Sequence, residues 1–124
     1  MNQRYGKEEK LKQKKQIETL FGEGNTIGQY PVRLFYLQID SENLEQFTRT
    51  GVSVSKRNFK NAVDRNKIKR LLREAYRKNK YLVNQPDGNR YWLMLVYVGK
   101  ELPELKTLET AVIKALKKLK NLKK

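Results

Sequence analysis

From Asn61 to Arg77 the chain reads Asn-Ala-Val-Asp-Arg-Asn-Lys-Ile-Lys-Arg-Leu-Leu-Arg-Glu-Ala-Tyr-Arg. At about 100° per residue, Ile68, Leu71, Leu72 and Ala75 gather on one side of a helix, flanked by Tyr76. Arg65, Lys69, Arg73, Asn66, Arg77 and Arg70 follow one another along an adjoining stripe, and Lys67 adds a further cation. The stripe stacks like charges at i, i+4: Arg65 with Lys69, Lys69 with Arg73, Arg73 with Arg77. Each such pair costs an isolated helix roughly 0.2–0.5 kcal/mol. Phosphates lying along the stripe would offset that cost. Arginine offers planar, two-pronged donors to phosphate oxygens, lysine offers a mobile point charge, and Asn66 adds a hydrogen bond to a ribose or phosphate. The chemistry is polyanion recognition. A solvated surface face is the plain alternative, though such a face would ordinarily mix its signs.

Bond-making chemistry is harder to find. A protein nuclease needs a general base or clustered carboxylates to hold metal ions. The sequence has no histidine, and its aspartates Asp40, Asp64 and Asp87 are scattered. There is no HExxH, paired aspartate or Walker loop. Without cysteine, a disulfide framework and a thiol-ligated zinc site are both excluded. No protein catalytic residue is expected.

Composition points the same way as the stripe. Lys and Arg total 28 against 13 Asp and Glu, a formal net charge of +15 over 124 residues. So lopsided a domain repels itself, a cost that is tolerable when a polyanion neutralises it in the working state. The basic residues concentrate at Lys7–Lys15, Lys56–Arg77 and Lys114–Lys124. No stretch approaches the ~20 apolar residues that cross a bilayer, and Met1 to Tyr5 leads into charge rather than an apolar run. A cytoplasmic location, with no membrane partner and no small-molecule substrate, is the expectation.

The elements that must position these residues are legible from periodicity. A short helix is predicted from Gln13 to Phe21 on the spacing of Ile17, Leu20 and Phe21. Gly22 and Gly24 stop it in left-handed geometry. Pro31 to Ile39 alternates, with Val32, Leu34 and Tyr36 on one face and Arg33, Phe35, Leu37 and Ile39 on the other. A turn at Asp40–Asn43 leads to a second strand from Phe47 to Ser55, and the two are read as an antiparallel hairpin. Asn61 caps the basic helix, which runs to about Asn79. After a loop at Pro86-Asp87-Gly88, Tyr91–Val98 suits a strand buried on both faces. Leu105, Leu108, Val112, Ala115, Leu116 and Leu119 make one stripe of a last helix over 104–120. Trp92 and Tyr97 are assigned to packing. The organisation is a loose basic segment at 1–12, one domain at 13–120 and a basic tail at 121–124. Lys56 and Arg57 end the second strand beside the basic helix's start, where backbone N–H groups favour anions.

The run Arg49-Thr-Gly-Val-Ser-Val-Ser-Lys56, with Asn61-Ala-Val-x-Arg65-Asn66-Lys67-Ile-Lys69-Arg70-x-x-Arg73-Glu74, resembles the bacterial ribonuclease P protein subunit. The resemblance extends over residues ~7–120 in length, basicity and element order. It implies an α+β sandwich: a small mixed sheet of three to four strands packed with three helices, in the order α-β-β-(β)-α-β-α. It also implies the topology of ribosomal protein S5 domain 2, with a left-handed βαβ crossover. It implies a protein that binds a catalytic RNA and removes the 5′ leader of precursor tRNA with it, the RNA supplying catalysis through its own Mg²⁺. Carried over, Asn61, Arg65, Asn66, Lys67, Lys69, Arg70, Arg73 and Arg77 would meet the catalytic RNA. Ile17, Phe21, Tyr36, Lys56 and Arg57 would line a cleft for the single-stranded leader. Ile17 stands where the family often has an aromatic, Lys67 where arginine is usual, and Lys60 where many members have glycine. From the residues alone, a ribosomal or assembly protein without a processing role stays open. A DNA-binding module fits less well, since the helix offers few Asn and Gln base readers.

Overall fold

The computed structural model describes residues 9–39, 48–85 and 88–122. Along these the chain forms α1 (Lys14–Glu23), β1 (Asn25–Gln29), β2 (Val32–Ile39), β3 (Arg49–Val54), α2 (Ala62–Asn79), a 3-10 turn (Lys80–Val83), β4 (Arg90–Tyr97) and α3 (Leu105–Lys120). This is the α+β class expected, with three helices and a mixed four-stranded sheet. The expected turn at Asp40–Asn43, the strand start at Phe47, and Pro86 and Asp87 lie outside the described residues.

The sheet order is β1-β2-β4-β3. β2 runs antiparallel to β1 and β4, while β3 runs parallel to β4. The hairpin expected between the strands at 31–39 and 47–55 is therefore not formed, because β4 lies between them. Its near-continuous apolar sequence can be covered on both faces, and such a strand takes the sheet's interior. Arg49, Gly51 and Ser53 alternate with Thr50, Val52 and Val54 and suit an edge. The hairpin that does form joins β1 to β2 through the cis Tyr30-Pro31 bond. Periodicity missed β1 because Asn25-Thr-Ile-Gly-Gln29 holds a single large apolar side chain.

α2 and α3 cover one face of the sheet. Val32, Leu34, Leu93 and Leu95 meet Ile68, Leu72, Ala75 and Tyr76 of α2 and Leu108, Val112, Leu116 and Leu119 of α3 in the main core. Full burial of a leucine is worth roughly 1.5–3 kcal/mol, so this layer fixes how α2 is rotated. α1 packs on the other face over a smaller cluster of Leu11, Leu20 and Met94.

Two expectations about chain ends change. α1 runs past Gly22, and Gly24 that ends it is extended (φ −81°, ψ 177°), not left-handed. Glycine is needed there for room: a Cβ would sit 2.5 Å from the Leu20 carbonyl oxygen and 2.7 Å from that of Tyr36. The segment expected to be loose over 1–12 is docked from Glu9 to Leu11. Lys80 Nζ lies 2.9 Å from Glu9 Oε1, with side chains only 10% and 9% exposed. Leu11 N donates to Thr50 O at 3.1 Å, and Lys10 bridges to Thr50, so this strap lies along the outer edge of β3.

Candidate nucleic-acid interface

Asn61 caps α2 as expected, its Oδ1 accepting from Val63 N at 2.8 Å. That fixes one role for Asn61 as structural. Asp64 in the first turn suits the helix's positive end. Ile68, Leu72, Ala75, Tyr76 and Asn79 are buried, which turns Asn66, Lys67, Arg70 and Arg73 outward into solvent with Lys69 half-buried beside them. Among the described residues, Lys67, Lys69, Arg70 and Arg73 have no ion pair.

The two ends of the expected row behave differently. Arg65 falls between Leu72 and Tyr76 around the helix and is half-buried. Its Nη1 donates to the carbonyls of Phe59 at 2.7 Å and Lys60 at 2.9 Å, tying the loop before α2 to the helix. Arg77 is held by Glu74, with Nε 3.2 Å from Oε1 and Nη2 2.8 Å from Oε2. That hydrogen bond holds the Glu74 carboxyl below its usual range against some desolvation, and Lys78 Nζ approaches the same carboxylate at 3.7 Å. Arg65 and Arg77 are thus removed from the set of free cations. The sequence reading counted charge along i, i+4 and passed over the i, i+3 pair Glu74–Arg77.

Lys56 and Arg57 sit exposed in the turn that follows β3. Arg57 N donates to Ser55 Oγ at 3.1 Å and Phe59 N to Ser55 O at 3.1 Å, which makes the turn compact. The cationic surface also extends where sequence reasoning placed nothing. Lys10, Leu11 and Lys12 of the strap, Thr50–Val52 of β3 and Arg73 of α2 enclose a notch of about 310 Å³. Gly51 keeps the strap close to the sheet, since a Cβ there would lie 3.1 Å from Leu11 O and 2.9 Å from the Met94 methyl. The basic run Lys7–Lys15 was the available signal for this notch.

The sheet face beside α1 is only partly covered. Phe35, Leu37, Trp92, Val96 and Ile17 are half-buried there. Phe21 is 45% exposed and packs edge-on to Phe35, with centroids 4.8 Å apart. In register, Phe35 stands beside Met94 and Gly51, and Leu37 beside Trp92 and Arg49. Ile17 and Phe21 are brought together on this face as expected. Tyr36 is not. It points through the opposite face onto the main core and packs edge-on to Tyr91 at 6.3 Å. The strand's alternation, which puts Tyr36 with Val32 and Leu34, overrides the family carry-over. Phe35 and Trp92 are the aromatics missed, and Trp92 belongs to this half-open face rather than to the main core.

Among the described residues no group of three or more His, Cys, Asp or Glu is placed to hold a metal ion, and no helix is long and apolar enough to cross a membrane. The arrangement offers charge, hydrogen-bond donors and aromatic surface, the means of binding nucleic acid.

Residues 5–120 match the family model described as Ribonuclease P. A ribonuclease P protein component from Porphyromonas gingivalis is 41% identical over 113 residues, covering 89% of this chain and 82% of that protein. One from Clostridium botulinum is 32% identical over 115 residues, covering 90% and 95%. Among solved structures, the RNase P protein of Staphylococcus aureus superposes with a TM-score of 0.73 at 20% identity, covering 90% of this chain and 94% of that one. The Thermotoga maritima RNase P protein gives 0.70 at 23%, covering 89% and 96%. These two structures bear on the fold.

Proposed function

This chain belongs to the ribonuclease P protein family, and we propose that it binds the catalytic RNA through α2 and presents a sheet face to the precursor tRNA leader. The observation that carries this reading is the row of exposed Lys67, Arg70 and Arg73 with half-buried Lys69, none in an ion pair among the described residues. Phosphates on α2 neutralise that row and release counterions, which makes binding strong and salt-sensitive. The strap's Lys10 and Lys12 extend the contact past Arg73 to the edge of β3.

The single-stranded 5′ leader of precursor tRNA lies across the face holding Phe21, Phe35 and Trp92. Unpaired bases expose the flat surfaces that aromatic side chains stack on. Lys56 and Arg57, in the turn leaving β3, contact its phosphates. Mg²⁺ supplies metal-ion chemistry for cleavage from the RNA subunit, and the protein's residues bind, orient and lower charge repulsion between the two RNAs. The protein works in the cytoplasm, with RNA as its partner.

Reconstitution tests the reading. Added to a bacterial ribonuclease P RNA at low Mg²⁺, the chain stimulates 5′ cleavage of precursor tRNA, and Arg70→Glu/Arg73→Glu abolishes the stimulation. An unstimulated reaction with the parent chain would favour a non-processing RNA-binding role.

A further inference from the structure

The sheet's other edge is β1, and there α3 and the β1–β2 turn enclose a separate groove of about 390 Å³. Gln29, Tyr30 and Pro31 form one bank, and Lys106, Thr110 and Lys114 of α3 form the other. The groove continues around Tyr30 and Pro31 past Lys100 on the segment leading into α3. α2 lies over β3, at the opposite edge of the sheet, and α3 lies over β1 and β2.

Three features of this groove have no use within the fold. Tyr30 is 73% exposed at the tip of a hairpin, which leaves much of its side chain in water. Lys106 sits in the first turn of α3, the positive end of the helix dipole, where a cation is disfavoured and an anion favoured. No acidic residue occupies that turn. Lys114 follows on the same bank, and Glu109, the helix's own carboxylate, is engaged by Asn79 Nδ2 at 3.1 Å. Lys106 and Lys114 have no ion pair among the described residues. Lys117, Lys118 and Lys120 near the C-terminus of α3 are explained by the dipole and carry no weight here.

We propose that this groove is a second RNA-binding surface, taking a single-stranded segment with a base stacked on Tyr30 and the adjoining phosphates on Lys106 and Lys114. An exposed aromatic with flanking cations is the pairing that recognises unpaired nucleotides, whose bases are free to stack. Duplex RNA offers no such base. Glu101 and Glu104, the latter the N-cap residue of α3, line the groove's continuation past Pro31, so the phosphates are placed along Lys106 and Lys114 and away from that stretch. A protein held on one RNA through α2 keeps this edge open for another strand, or for a distant unpaired stretch of the same RNA.

Ultraviolet cross-linking of the full chain to a 4-thiouridine-substituted single-stranded oligoribonucleotide, mapped by peptide mass spectrometry, tests this. The expected result is a cross-link at Tyr30 that persists in Arg70→Glu/Arg73→Glu. Lys106→Glu/Lys114→Glu, which leaves Tyr30 in place, lowers its yield about fivefold or more, as loss of the electrostatic part of single-strand binding requires. Absence of a Tyr30 cross-link, or a yield indifferent to both lysine reversals, overturns the proposal. Failure of the α2 reading shows separately, as unchanged binding of ribonuclease P RNA by Arg70→Glu/Arg73→Glu.

Discussion

Phe35 and Tyr36 are neighbours in the chain and stand on opposite faces of the sheet. The Phe35 ring meets Phe21 beneath α1 at 4.8 Å, and the Tyr36 ring meets Tyr91 on the main-core side at 6.3 Å. The pleat alone decides which of the two can touch a ligand lying beside α1.

Phe35→Ala is therefore expected to weaken binding of leader-bearing precursor tRNA by roughly 1–3 kcal/mol, the worth of a base–aromatic stack, with a smaller effect on mature tRNA. Tyr36→Ala is expected to lower stability and leave that difference intact. Paired affinity measurements on the two RNAs decide it, and the reverse pattern would refute the placement of the leader.

The cations of α2 divide by their partners. On the proposed reading, Arg70→Ala and Arg73→Ala are each expected to remove a phosphate contact and to flatten the dependence of log affinity on log salt by about one unit per contact. Arg65→Ala instead removes the donor from the part-buried Phe59 carbonyl and the exposed Lys60 carbonyl, costing about 0.5–1.5 kcal/mol of stability. Binding titrations at several salt concentrations, alongside urea unfolding, separate the two classes. An Arg65→Ala chain as stable as the parent would contradict the division.

Much of this arrangement is written locally. Asn61 as a cap, α2 to Asn79, the apolar run of β4 and the stripe of α3 all follow from spacing within one element. What spacing does not contain is partnership across the chain. The pairing of β3 with β4 depends on α2 crossing between them, and nearness in sequence suggested β2 instead. The rotation of α2 that draws Arg65 inward is fixed by Leu72 and Tyr76 packing on the sheet and α3. Glu9 gives no local sign that it will meet Lys80, seventy-one positions away. Tyr36 is the opposite case: its alternation was readable and pointed to the core.

Glu9→Ala removes the carboxylate that lies 2.9 Å from the buried Lys80 ammonium. A loss of roughly 3–5 kcal/mol is expected when one member of a buried pair is removed, a large share of a small domain's total. Replacing both, as Glu9→Leu/Lys80→Met, should restore much of it. Urea denaturation measures both chains. RNA affinity should fall with Glu9→Ala as well, because the strap carries Lys10 and Lys12 to Arg73.

Tyr76 supplies a pH dependence. Burial pushes its hydroxyl from 10.0 up to about 12, so the folded chain keeps a proton that the unfolded chain releases. The stability this adds is whole below pH ~10 and is lost as pH climbs through ~12, by at most ~1.4 kcal/mol per pH unit. The measurement is the difference between parent and Tyr76→Phe. Unfolding curves from pH 9 to about 12 should steepen less for Tyr76→Phe, and parallel curves would exclude the tyrosine as the source.

The strap on β3 has one more effect. An uncovered outer strand displays unpaired amides and carbonyls that another copy of the same protein can adopt as a template, and Leu11 N already occupies the Thr50 carbonyl. A chain cut after Lys12 would expose that template, leaving mutual repulsion from a strongly cationic body as the main guard against polymerisation. Salt screens such repulsion, so the shortened protein is expected to precipitate or form fibrils at a lower ionic strength than the intact one.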